Sequence, residues 1–147
     1  MAHIRQQIRE RAASTLGSLT TTSSRVYQSR VYPLGSNNLP GLLIYTQSED
    51  SMPETMGTSR LIMRTLSLVV EGYVKQVSNF DDKVDLICSE VETAMAGDIT
   101  LNGLAKDSFL QSTEIVYNAE GDQPVGACTM TYSVIYANAE ADPDTAV

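Results

Sequence analysis

Residues that carry chemistry are scarce in this chain. Its 147 residues include one His, two Cys and no Trp, and neither a Walker-type nor a dinucleotide-type glycine motif is present. His3 has no second His with which to share a metal or complete a triad. Cys88 and Cys128 lie far apart in sequence, which excludes a disulfide scaffold and a closed cysteine metal site, and both are expected to be reduced. No apolar run approaches the roughly 20 residues of a membrane helix, and residues 3–11 are polar, unlike a secretory signal; synthesis in a cytosol-like compartment is the expectation. Positive charge is also in short supply. Ten Lys and Arg face eighteen Asp and Glu, a net charge of −8, which disfavours binding to a phosphate backbone. What remains is a chain the size of one domain, 42% hydrophobic and long enough to bury a core without staples.

Periodicity places the elements. Ile4, Ile8, Ala12 and Leu16 recur four apart and predict an amphipathic helix over 2–16, ended by Gly17. A hydroxyl-rich loop follows at 18–24, then a Val- and Tyr-rich strand over 26–32 and turn residues at 35–40. Residues 41–46 read as a short buried strand and 47–58 as a polar loop. Over 59–77, Ile62, Leu66, Leu68, Val70 and Val74 alternate with polar residues, the pattern of a long half-buried strand. The period then changes: Val84, Cys88, Val91 and Met95 form one stripe of a helix over 81–96, capped by Asn79 or Asp81 and followed by Gly97. Strands at 109–117 and 127–137, joined by the loop 118–125, predict a hairpin. The acidic segment 138–147 offers nothing to pack and is expected to be disordered, leaving 1–137 as one domain. The order implies an α+β fold: one mixed, largely antiparallel sheet of about five strands with two helices packed on one face. The uncovered face would carry Thr65, Ser67, Thr129, Thr131 and Ser133.

Candidate chemistry reduces mostly to structure. His3 reads as a solvent-exposed or helix-end residue, and Cys88 and Cys128 as small core hydrophobes. Asp81, Asp82 and Asp85 complement the helix dipole rather than hold a cation, and catalytic, cofactor and metal residues are all expected to be absent. Through Arg64, seven basic residues face four acidic ones; beyond it, three lysines face fourteen. Surface charge kept for solubility accounts for this asymmetry. So does head-to-tail association, with Arg5, Arg9, Arg60 and Arg64 on the basic side of a subunit contact. The loop 47–58 stands out, because Met52 and Met56 are adaptable apolar side chains in an acidic setting suited to a partner surface. Glu49, Asp50, Met52, Glu54 and Met56, with Glu120 and Asp122 from the second loop, are the expected partner contacts. Residues 49–54 are expected to be removable without loss of folding.

The segments HIRQQIRE, RVYQSRVYPLGSNNLPGLLIYTQSED, LSLVVEGYV, DKVDLICSEVETAMAGD, ITLNGLAKDSFLQSTEI and TMTYSVIYA, in this order across 2–137, resemble the tail terminator proteins of long-tailed bacteriophages, the minor tail protein U-like family. The resemblance implies a structural protein without catalysis or cofactor. Such proteins form a ring, usually a hexamer, on the head-proximal end of the tail tube. The ring stops polymerisation of tube protein, receives the head's connector or neck protein, and lets DNA pass unbound, with no membrane involved. A virion location, after synthesis in a host bacterial cytoplasm, follows from the same resemblance. A neck or head-to-tail connector protein is the nearest alternative, and a small hydrolase or ligand-binding domain is the alternative of another class.

Overall fold

The computed structural model describes residues 2–28, 40–75, 79–118 and 125–147. Its elements are α1 (Ile4–Thr15), β1 (Val26–Tyr27), β2 (Gly41–Pro53), β3 (Leu61–Lys75), α2 (Phe80–Ala96), β4 (Asp107–Asn118) and β5 (Val125–Ala139). They build the expected α+β architecture, a five-stranded sheet ordered β1-β2-β3-β5-β4. β1 runs parallel to β2 and every other neighbouring pair is antiparallel. Residues 29–32 of the expected first strand, most of the turn at 35–40, and residues 119–124 of the second loop lie outside the described residues.

Both helices cover the same face. Ile4, Ile8, Ala12 and Leu16 of the first helical segment and Val84, Ile87, Val91 and Met95 of α2 meet Leu42, Ile44, Leu66, Leu68, Val70, Met130, Val134 and Tyr136 from the sheet in one buried cluster. Each Leu or Ile taken fully out of water there contributes about 1.5–3 kcal/mol. Cys88 and Cys128 sit in this cluster as free thiols, as the apolar stripes predict. Gly72 makes room for Ile87 and Cys128: a Cβ at that position would stand 2.9 Å from Ile87 Cγ2 and 3.0 Å from Cys128 Sγ. The opposite face carries a hydroxyl ladder, with Ser67 paired to Ser48 and Ser133, and Thr131 to Val69.

Two expectations need correction. Residues 47–53 are strand, not loop: β2 continues to Pro53, and the turn at the tip occupies only 54–60. A register shift between Thr46 and Ser48 breaks the alternation that a strand reading relies on. Before it, Leu42 and Ile44 face the helices; after it, Glu49 takes that side, opposite Leu66. The C-terminal segment is also ordered against the domain. Pro143 O accepts from Ile4 N–H at 3.0 Å, Asp144 O accepts from Gln7 Nε2 at 2.8 Å, and Val147 N–H donates to Ala137 O at 2.9 Å. Its acidic composition conceals the reason, since two backbone carbonyls make the contacts with α1, Pro143 O on the free Ile4 N–H and Asp144 O on the Gln7 side chain.

Candidate functional site

The β2–β3 hairpin forms an arm whose tip is the most exposed apolar feature of the described surface. Met56 is 96% and Met52 70% exposed, above every other large hydrophobic side chain described. Gly57 at the tip has φ +102°, a left-handed conformation that glycine adopts without strain, and nothing stands within 4 Å of where its Cβ would be. Asp50 and Glu54 are exposed along the same arm. All four are thus exposed to solvent. Glu120 and Asp122 fall outside the described residues.

Glu49 does not join them. The register shift turns its side chain under α1, where it is only 8% exposed. Oε1 accepts from Arg5 Nη1 at 2.8 Å and from Arg64 Nη1 at 2.9 Å, while Oε2 accepts from the Tyr136 hydroxyl. Burial alone would push the carboxyl up; the hydrogen bonds from Tyr136, Arg64 and Arg5 outweigh it and hold the group below the ordinary carboxylate range. The Tyr136 phenol is pushed up by burial and by its bond to Glu49, so it stays a donor. His3 caps α1 by accepting from Arg5 N–H at 3.1 Å, and burial together with the Arg5 and Arg64 charges lowers its pKa. Of the two roles expected for His3, solvent-exposed or helix-end, the structure shows the helix end.

Arg5, Glu49 and Arg64 line a cavity of about 390 Å³ together with Thr46, Ser51 and Leu66. Arg64 Nε is buried there without a hydrogen-bond partner among the described residues, while the acceptor side is filled. The carboxylate already has three donors, which leaves little basicity for proton abstraction. The arginines expected at a subunit contact are similarly engaged within the chain: Arg5 and Arg64 on Glu49, and Arg60 on Glu140 at 3.0 Å. Arg9 makes a 3.4 Å contact with Gln28. Arg11, on the same helix, pairs with Asp98 at 2.8 Å. Thus the basic front half and acidic back half partly neutralise each other inside one chain. Sequence reasoning missed this cluster because Glu49, Arg64 and Tyr136 meet only through strand register, and the polar run after Thr46 was the sole sequence trace of the shift.

No protein-family model and no curated protein matches this chain. Among solved structures it is similar to a chain described as the virion of a native gene transfer agent particle, at 13% identity and a TM-score of 0.36 over 90% of this chain and 92% of that one. A likeness of that degree carries no argument about function.

Proposed function

We propose that this chain is a virion structural protein that closes into a ring, a hexamer, on the head-proximal end of a phage tail tube. The ring ends tube polymerisation and offers the surface on which the head's connector or neck protein docks. The observation that carries this reading is the arm: two methionines held in water at the tip of a strand pair whose base is locked by the Glu49 cluster. Exposed, adaptable apolar side chains on a fixed support suit assembly better than turnover. The family resemblance across 2–137 names the assembly. A net charge of −8 repels the phosphates of DNA moving through the central hole, so DNA is passed without being bound.

Shape and self-complementarity do the work here, and no catalytic group is assigned. The ligand-binding alternative has in its favour the 390 Å³ cavity and Arg64 Nε, which is buried without a hydrogen-bond partner among the described residues, although Nη1 of both arginines is bonded to Glu49. Disabling the gene in the phage that encodes this chain, then measuring tails by electron microscopy, tests the reading. Overlong, headless tails are expected; tails of normal length joined to heads would refute it. Normal tails in a triple Met52→Ser, Glu54→Ser, Met56→Ser variant would instead remove the arm from the contact.

A further inference from the structure

The sheet ends in an open edge. β4 lies last in strand order and pairs on one side only, with β5, and no backbone hydrogen bond from another described element reaches its outer side. A register shift between Leu110 and Ser112 interrupts the strand early, and past it the ladder runs regularly to Asn118. That stretch contains no Pro, Lys or Arg, residues that commonly blunt an unpaired edge. Residues 112–116 are exposed on both faces of the sheet, with Ile115 at 51% and Val116 at 50%. Ile115 stands opposite Cys128, on the core face, and Val116 opposite Ala127 on the other. An exposed apolar edge with free backbone groups is a template for one more strand.

Charge selects the occupant. On the flank of α2 turned toward β4, Glu92 borders the groove that Ser108, Phe109 and Leu110 line. Asp85 and Asp81 precede it by about two and three helical turns, so these exposed carboxylates share that flank. Glu114 on the strand and Asp107 at its start add to them. Lys83 lies on the other flank of α2, where it lines a pocket with Thr21, Pro40 and Val74. Lys106 stands just before β4, at the opposite end of the strand from Ile115. The arm of a second copy, carrying exposed Asp50 and Glu54, is repelled by such a surface. We infer that β4 receives an extended basic segment of a different protein, which pairs with its outer edge, covers Ile115 and Val116, and sets Lys or Arg against Asp81, Asp85 and Glu92. Long basic side chains suit both tasks, since their stems cover apolar surface while their heads reach the carboxylates. Such a contact uses this edge alone and is independent of ring closure.

Two synthetic peptides of about eight residues, one alternating Val with Lys and the other Val with Glu, test this on the full-length chain by calorimetry and amide hydrogen exchange. The Lys peptide is expected to bind and to slow exchange at 112–116. Raising salt from about 0.05 to about 0.5 M should weaken that binding at least about 5-fold. The double variant Asp85→Lys, Glu92→Lys, its fold checked by circular dichroism, should lose about 10-fold in affinity for the Lys peptide and gain affinity for the Glu peptide. Unfolding could not produce that exchange of preference. Equal binding of both peptides, binding that leaves 112–116 unprotected, or no binding of the Lys peptide at millimolar concentration overturns the basic occupant. Protection at 112–116 that grows with protein concentration and needs no peptide gives the edge to a second copy, and overturns it too. Tail length, the readout for the ring, is separate from all of these.

Discussion

Tyr136 of β5 reaches over β3 to donate its hydroxyl to Oε2 of Glu49 on β2. Arg64 of β3 lies between them and bonds the other oxygen, so three strands and, through Arg5, α1 converge on one carboxylate. Removing the charge from a buried, multiply bonded ion leaves its partners uncompensated. Glu49→Gln should therefore destabilise the fold by about 2 kcal/mol at neutral pH, measured by urea unfolding.

The same carboxylate sets an acid limit. Folding lowers the pKa of Glu49 from an ordinary 4.5, and that of Asp98 from 3.8, where burial is outweighed by bonds from Arg11, Thr15 and Asn102. Their contribution is complete above the unfolded values and disappears as pH falls through the lower folded ones. Melting temperature should thus decline below about pH 4.5, and the decline should be shallower in Glu49→Gln than in wild type. Parallel acid limbs in the two proteins would contradict the assignment.

Truncation after Ala139 should not be silent. It removes the acceptors of Ile4 N–H and Gln7 and the Arg60–Glu140 pair. A loss of a few hydrogen bonds, of the order of 1–2 kcal/mol, corresponds to a fall in Tm of roughly 3–8 °C. Hydrogen exchange should quicken first at the start of α1.

Glycine positions separate packing from conformation. Gly72→Ala brings a methyl against Ile87 and Cys128 and should cost about 1–3 kcal/mol by overpacking. At Gly97 the backbone is right-handed and a Cβ would meet Ala94 O at 3.5 Å and Thr93 O at 3.8 Å, both ordinary contacts, so Gly97→Ala should be neutral or stabilising by about 0.5 kcal/mol. Equal effects at the two sites, by thermal melts, would disprove this contrast.

Thiol accessibility gives an independent check of the core. A hydrogen bond to Cys128 and burial both push the Cys88 thiol up, and Cys128 is fully buried. Neither should react with an aromatic disulfide reagent in native buffer within minutes, and two equivalents should react on unfolding.

Periodicity made much of this fold legible. Stripes three or four apart located both helices, and alternation located β3 and β5 with the correct residues turned inward, because side-chain direction in regular structure follows from local backbone geometry. The arm's methionines were legible too, as apolar residues in an acidic run. Local pattern failed where a one-residue shift reversed the faces of β2 and placed Glu49 inside. It failed again at the C-terminus, where backbone hydrogen bonds and the Arg60–Glu140 pair hold a segment with few apolar side chains.

By itself, then, the sequence determined the fold class, the core stripes and the scarcity of reactive groups, since these depend on composition and short-range period. Only the tertiary structure decided which charges meet, which carboxylate is buried and which hydroxyls, Thr22 and Tyr132 among the described residues, are left without a partner. Those outcomes depend on register and on residues brought together from distant parts of the chain, as with Arg64 and Tyr136 around Glu49.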